Sequence, residues 1–207
     1  MNRMKTILAV ATLMLAIPAL AQTDAAKKAP KKAAAAATKE APKAPPSIAK
    51  IFDDNLKSVE NELVPAVEAM PADKFDFAPT NGEFNTVRTF ALQARHVATT
   101  NYWIYAALAG EKNPVELGKD ENGADSLNTK DAIVQYVKDS YVFAHKALAS
   151  VPANGWTKDI QGPFGPKNRT TPMSLAVLLQ GHQFDHYGQM VEYLRMNGII
   201  PPASRPR

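Results

Sequence analysis

Helical periodicity dominates the chain from about residue 47 onward. Apolar residues recur every three to four positions in four long segments, a spacing that places them on one face of an α-helix. The segments run from about Ser47 to Met70, from about Thr86 to Ala109, from Asn128 or Thr129 to just before Pro152, and from Thr171 to Asn197. Four amphipathic segments in roughly 160 residues predict an all-α fold with the architecture of a four-helix bundle.

The sequence also predicts how these segments end and what joins them. Thr171 is a good N-cap with Pro172 at the first helical position, and Gly110 is suited to terminate the second segment. Pro65 falls inside the first segment and is expected to kink or split it. The stretch 151–170 is rich in glycine and proline, which predicts a structured loop or a short hairpin before the last helix.

The apolar face of each segment is expected to lie in the core. The predicted faces comprise Ile51, Phe52, Asn55, Val59, Leu63 and Val67, then Val87, Phe90, Ala94, Val97 and Ile104, then Ile133, Val137, Tyr141, Ala144 and Leu148, and finally Leu175, Leu178, Leu179, Met190 and Leu194. A chain of this length can bury a substantial core in one domain, residues 47–207. Because the sequence has no cysteine, that core has to be stable without disulfides.

The first 46 residues have a different character. A short basic start is followed by the apolar run Ile7–Leu20 and the small-x-small sequence Ala19-Leu20-Ala21, which is the layout of a signal peptide over residues 1–21. A transmembrane anchor is the alternative, but the run is shorter than the roughly 20 residues that a spanning helix needs. Residues 22–46 are mostly alanine, lysine and proline and predict a disordered tether. The expected location is therefore periplasmic or extracellular.

Charge does not indicate a nucleic-acid partner. Eight of the 24 basic residues and only two of the 20 acidic residues precede residue 47, so the predicted domain carries 16 basic and 18 acidic side chains. The formal net charge of +4 therefore belongs to the N-terminal part, and the domain is not a basic nucleic-acid binder. After signal cleavage no further segment is apolar enough to span a bilayer. The tether is interpreted as a solvated spacer, with contact to anionic lipid or cell wall as the alternative.

Two of the four histidines, His182 and His186, lie four residues apart in the last predicted helix. Residues at this spacing project from one face, one turn apart, so two imidazoles can reach one metal ion. Exposed surface histidines are the alternative, but leucines flank the pair and Gly181 precedes it. A glycine inside a helix costs about 1 kcal/mol relative to alanine and is better explained where another group approaches closely. The spacing therefore predicts a metal site.

A third ligand is expected from another helix. His96, near the middle of the second segment, is the candidate, and a core histidine bonded to a backbone carbonyl is the alternative. Three imidazoles leave coordination positions for water or substrate, as catalytic sites do. His145 lies off the apolar stripe of the third segment and is interpreted as exposed or interfacial.

The last helix resembles that of the DinB-like (damage-inducible) four-helix-bundle proteins. The matching residues are His182, His186, Gly188, Gln189, Tyr193, Leu194, Arg195, Gly198, Pro201 and Pro202. His96 matches the first metal histidine of that family, and the resemblance covers about residues 47–207. It implies a divalent metal ion, most often zinc or nickel, held by His96, His182 and His186. Some related enzymes transfer low-molecular-weight thiols, and many members have no assigned activity.

Three further residues are predicted around the metal. Gln189 and Tyr193 share the helical stripe of the histidines and are expected to hydrogen-bond water at the ion. Trp103, seven residues after His96, is expected either to wall the pocket or to pack in the core. Asp185 points about 100° away from His186, so it is interpreted as a salt-bridge partner rather than a general base.

The predicted site leads to two main hypotheses of function. A divalent ion lowers the pKa of bound water or thiol and polarises carbonyl or phosphoryl oxygens. The first hypothesis is therefore an exported metal-dependent hydrolase or transferase that acts on an unknown small molecule. The second is a non-catalytic binding module with a structural metal. Pairing of two copies through a helix face into a homodimer is a further, separate expectation.

Overall fold

A computed structural model describes residues 44–206 of the chain. It contains four long helices: α1 (Ile48–Ala69), α2 (Phe90–Ala109), α3 (Lys130–Ser150) and α4 (Pro172–Met196). Helices α1 and α2 each pack against both α3 and α4, which confirms the predicted all-α four-helix bundle. Among the described residues no helix combines the length and the apolar composition needed to cross a membrane. The predicted signal peptide and nearly all of the predicted tether lie outside the described residues.

Local capping chemistry sets where the helices begin. Ser47, Thr89, Thr129 and Thr171 precede the four helices, and each side chain accepts a hydrogen bond from a backbone N–H three residues further on. Helix α2 begins later than its periodicity indicates because Thr86 has a φ of 71°, which is outside the helical region.

The expectations for proline and glycine inside the helices have different outcomes. At Gly181 of α4 no neighbouring group in the described part of the chain lies within 4 Å of the position of a Cβ, so the expected close approach is wrong. Gly110 terminates α2 in the left-handed conformation, with a φ of 73°, as predicted. Helix α1 is assigned as one continuous helix across Pro65, so the expected split does not occur.

The stretch 151–170 contains a short antiparallel hairpin, which agrees with the hairpin interpretation of its glycines and prolines. Strands β1 (Ile160–Gln161) and β2 (Arg169–Thr170) pair with Ile160 opposite Thr170. The side-chain amide of Gln161 donates to three backbone carbonyls of the hairpin tip, at 2.8–3.0 Å. A Cβ at Gly162 would lie 1.8 Å from Asn168 Oδ1, so the glycine allows the Asn168 side chain to approach the backbone closely. The hairpin therefore holds its tip residues in a defined position.

Most of the predicted apolar faces are buried, but four of their members are not. Ile51 is 46 % exposed and Asn55 is also exposed, because both lie at the edge of the buried α1 stripe rather than at its centre. Val87 is exposed because it precedes α2 and does not belong to the helix. Leu178 is 45 % exposed because it lines a surface cavity next to the predicted metal ligands.

Candidate metal centre

The three predicted ligands come together between helices α2 and α4. His96 lies near the middle of α2, and His182 and His186 are one turn apart near the middle of α4. The Nε2 atom of His182 is 3.1 Å from Nε2 of His96 and 3.1 Å from Nε2 of His186. His96 and His186 are buried, and His182 is half-buried at the edge of the cavity.

The spacing of these nitrogens is the spacing expected for ligands of one ion. Zinc–nitrogen bonds are about 2.0–2.1 Å long, so two nitrogens bound to one ion at right-angled or tetrahedral positions are about 2.8–3.4 Å apart. Both separations from His182, 3.1 Å, lie in that range. Together His96, His182 and His186 could therefore hold a metal ion.

Hydrogen bonds to the outer nitrogens orient two of the three imidazoles. His96 donates from Nδ1 to the backbone carbonyl of Glu121 at 3.1 Å, and His186 donates from Nδ1 to Oε1 of Gln93. With these protons on Nδ1, the Nε2 atoms of both residues present lone pairs to His182. A proton on His182 Nε2 can bond to only one of these two lone pairs. A cation shared by all three Nε2 atoms satisfies every lone pair, which hydrogen bonding cannot do. Nδ1 of His182 is buried and has no partner among the described residues.

The surroundings keep the imidazoles neutral. Burial lowers the pKa of His96 from 6.5 to about 4, with the positive charge of Arg88 as the next cause. Burial lowers the pKa of His186 further, to about 3, and the neighbouring imidazoles add to this effect. The pKa of His182 is lowered by burial as well, although the charge of Asp185 partly opposes the shift. Neutral imidazole is the form that binds metal, so the site is prepared for an ion at neutral pH.

A chain of hydrogen bonds supports His186 from behind. Gln93, one turn before His96 on α2, donates from Nε2 to Oε1 of Gln189 at 2.8 Å. Gln189 in turn donates to Oδ2 of Asp185 at 2.9 Å. The predicted residue Gln189 therefore contacts Gln93, which in turn contacts the imidazole of His186. Asp185, which was interpreted as a salt-bridge partner, instead ends this chain of hydrogen bonds.

The other two residues predicted around the metal have different positions. The Tyr193 hydroxyl donates to the backbone carbonyl of Arg88 at 3.1 Å, and its ring packs edge-to-face against Phe77. Tyr193 therefore fixes the segment that leads into α2, and its hydroxyl is directed at that carbonyl rather than at the histidines. Trp103 lines the cavity next to His96 and His182 and also packs against the hydrophobic core, so both predicted positions apply to it.

A cavity of about 260 Å³ opens beside the histidines. Its lining consists of His96, Thr100, Trp103, Ile104, Glu121, Phe164, Leu178 and His182. The rings of Trp103 and Phe164 meet edge-to-face with centroids 5.3 Å apart. Two of the three predicted metal ligands, His96 and His182, therefore line a cavity whose other walls are largely apolar.

Two arginines hold the loop that supplies the carbonyl for His96. Buried Arg95 donates to three successive backbone carbonyls, residues 122–124, at 2.8–3.2 Å. Arg88 donates to a further carbonyl and to an asparagine side chain of the same loop. Asp120 and Glu121 have φ values of 54° and 55°, in the left-handed region that is unfavourable for residues other than glycine. The arginines thus maintain a strained loop whose carbonyl orients a metal ligand.

Several of these residues are not predicted by the sequence analysis. For Gln93 the sequence contains an indication, since it is a polar residue on a buried helix one turn before His96. The sequence contains no such indication for the Glu121 carbonyl or for Phe164, because the path of a loop decides where each one lies. His145 is interfacial, one of the two predicted outcomes: on α3 it contacts Asp53 and Glu60 of α1.

Comparisons with known proteins agree with this fold. Residues 55–190, which include all three histidines, match the family model of the DinB superfamily. A DinB-like protein from Bacillus cereus ATCC 10987 has a similar structure, with a TM-score of 0.60 and 18 % identity over 75 % of this chain and 96 % of that chain. For a DinB-like protein from Bacillus subtilis the TM-score is 0.58 and the identity 15 %, over 76 % and 99 % of the two chains. No curated protein matches the chain. Since the family match spans well over half of the sequence, the chain belongs to the DinB superfamily, as the histidine motif of α4 predicts.

Proposed function

We propose that this protein is a metal-dependent enzyme, a hydrolase or transferase, that acts on a small molecule at His96, His182 and His186. The observation that carries the proposal is the convergence of the three imidazoles at the wall of an open cavity. A divalent ion held there, zinc or nickel, supplies Lewis-acid chemistry, which polarises a carbonyl or phosphoryl oxygen and lowers the pKa of water or a thiol.

The residues of the chain prepare the site in three ways. Gln93 and the Glu121 carbonyl hold two imidazoles in the tautomer whose Nε2 is free. Burial keeps these imidazoles neutral. Glu121 contributes to the cavity lining beside the imidazoles.

The number of ligands distinguishes this proposal from a structural metal site. Structural zinc sites are usually closed by four protein ligands, whereas catalytic sites have three and keep a position open. Within residues 44–206 the clustered group consists of three histidines. Two of them, His96 and His182, line the cavity. This arrangement supports an enzyme over a binding module with a structural metal.

Metal loading of matched histidine variants tests the proposal. His182→Ala removes a proposed ligand, and His145→Ala removes one imidazole elsewhere in the bundle. We expect the wild type and His145→Ala to bind one zinc or nickel ion per chain and to share an activity in a screen of esters, amides, phosphoesters and thiol acceptors. His182→Ala should lose both the ion and the activity. A metal-free wild type in excess zinc, or full activity in His182→Ala, would refute the proposal.

Cobalt substitution separates the enzyme from the binding module. A site with an exchangeable position changes its visible absorption spectrum when a small anion such as azide is added. A spectrum that azide does not change, together with a large loss of thermal stability on chelation, would support the structural-metal alternative instead.

We further propose that the protein is exported, with residues 1–21 removed and residues 22–46 acting as a tether. The support is the basic start, the apolar run and the Ala19-Leu20-Ala21 sequence. Cell fractionation and N-terminal sequencing should find a mature chain that begins at Gln22 outside the cytoplasm. Replacing Ala19 and Ala21 by bulky residues should block that cleavage. An uncleaved wild-type chain in the cytoplasm would contradict the proposal.

A further inference from the structure

The cavity beside the histidines has two chemically different parts. One part of its lining consists of His96, His182 and Glu121. Trp103 lies two turns along α2 from His96, and Leu178 lies one turn along α4 from His182. Together with Phe164, which contacts Trp103, they form the apolar part of the lining. A ligand that fills the cavity therefore has to present a polar head to the first group and an apolar body to the second.

The apolar part leaves large hydrophobic side chains in contact with water. Phe164 is 52 % exposed and Leu178 is 45 % exposed, and Trp103 between them is only half-buried. Single exposed apolar residues are common on protein surfaces, but adjacent ones that line a concave site mark a place where a ligand binds. Burying these side chains under an apolar group would remove their surface from water and stabilise the complex.

The position of Phe164 is fixed by the hairpin that carries it. The Gln161 amide bonds to three carbonyls around the tip, and Gly162 allows the close approach of Asn168. The Phe164 ring is then held edge-to-face against Trp103, with centroids 5.3 Å apart. A wall that is ordered before binding costs little entropy when the ligand arrives.

The volume of the cavity limits the size of the apolar part of the ligand. A dry cavity of about 150 Å³ is known to hold benzene, and the cavity here measures about 260 Å³. It therefore has room for one ring and a head of a few atoms. From these observations we infer that the site takes small molecules with an apolar ring and a compact metal-binding head, the ring lying against Trp103, Phe164 and Leu178. This inference rests on the proposed function and specifies its substrate class.

Two hydroxamates with the same head test this inference by binding rather than by activity. Acetohydroxamate carries a methyl group and benzohydroxamate carries a phenyl ring. A difference in their affinities for the zinc-loaded protein therefore reports on the apolar group attached to the hydroxamate head. We expect benzohydroxamate to bind at least about tenfold more tightly, because its ring buries more apolar surface. Isothermal titration calorimetry measures both affinities.

Matched variants assign the difference to the cavity wall. Phe164→Ala and Leu178→Asn should each remove most of the preference for benzohydroxamate and leave acetohydroxamate binding within about twofold. Phe184→Ala is the control, because Phe184 is 45 % exposed on α4 but does not line the cavity. It should retain the full preference. Both tested wall residues are substantially exposed, so the bundle is expected to fold without them.

The outcomes separate this inference from the proposed function. Equal affinity of the wild type for both hydroxamates, or an unchanged preference in both wall variants, would overturn the inference and leave the metal site intact. If neither hydroxamate binds to the zinc-loaded protein, the open coordination position is wrong, and the proposed function and the inference fail together.

Discussion

Histidine occurs in two contrasting environments in this bundle. Between α2 and α4, three imidazoles face one another, and the groups behind them are an amide and a backbone carbonyl. Between α1 and α3, His145 lies alone with a carboxylate at each ring nitrogen. Its Nδ1 is 2.5 Å from Asp53 Oδ1, and its Nε2 is 3.3 Å from Glu60 Oε2.

The difference shows what makes a histidine available as a ligand. Both nitrogens of His145 are occupied by hydrogen-bond partners, so no lone pair is directed at free space. In His96 and His186 the outer nitrogen bonds to an amide or carbonyl oxygen, and the inner one faces Nε2 of His182, where an ion can bind. Residue type and helical position alone do not distinguish His145 from the histidines of the metal site. The group that contacts the second ring nitrogen does distinguish them.

The strongest test of this contrast removes one histidine from each environment. His186→Ala should weaken zinc binding by more than about 100-fold, since even the loss of a supporting contact costs 10- to 100-fold. His145→Ala should bind zinc within about twofold of the wild type. Competition with a chromophoric chelator measures both affinities. A comparable loss in the two variants would mean that the sites do not differ as described.

The supporting amide offers the next largest effect. Gln93→Leu removes the acceptor for His186 Nδ1 and should weaken zinc binding by about 10- to 100-fold. Gln93→Glu keeps an acceptor at that position and should restore most of the affinity. Gln135→Leu, an exposed glutamine on α3, is the control and should have no effect. If Gln93→Leu binds zinc normally, packing alone orients the imidazole.

Acid should destabilise the metal-free protein through the three-histidine site. An unfolded imidazole takes up its proton near pH 6.5, whereas His96 and His186 take it up only near pH 4 and pH 3. Between these pH values the unfolded state binds more protons than the folded state does. The contribution of the two histidines to the free energy of unfolding is therefore complete above pH 6.5 and falls as the pH drops toward 4. Urea denaturation in a chelator should show a loss on the order of 4 kcal/mol between pH 7 and pH 5, about 2 kcal/mol for each of the two histidines. In the double variant His96→Leu/His186→Leu the free energy of unfolding should depend much less on pH. An unchanged pH dependence would mean that groups other than these histidines cause it.

The smallest effect is expected at the carboxylate-bound histidine. His145→Ala removes two partly exposed contacts between an imidazole and a carboxylate, and partly exposed pairs of this kind contribute about 1 kcal/mol or less each. Its unfolding free energy should therefore fall by no more than about 1–2 kcal/mol, and 1 M salt should reduce the difference from the wild type. A larger, salt-independent loss would show that His145 acts through packing instead.

The parts of this protein that depend on local chemistry could be predicted from its sequence. Thr129 and Thr171 cap the predicted helices because an N-cap needs only its own next turn. The convergence of His182 and His186 follows from one helical turn. His96 was the sequence candidate for the third ligand, but its contact with His182 depends on α2 lying beside α4.

Features that depend on the paths of loops could not be predicted. The Glu121 carbonyl reaches His96 only because two arginines hold a strained loop in place. Phe164 reaches Trp103 only because a hairpin tip turns toward the cavity. Leu178 satisfies the apolar pattern of α4 yet is exposed, since the pattern does not reveal where the bundle surface is concave.

The sequence separation of the ligands has a mechanical consequence. His96 and His182 are 86 positions apart in a chain that has no cysteine. An ion that bridges them would close a long loop, and such closure restricts the unfolded chain much as a disulfide does. Unlike a disulfide, this cross-link would open and close with the supply of metal rather than with the redox state, so the lifetime of the fold would follow the free metal concentration around it.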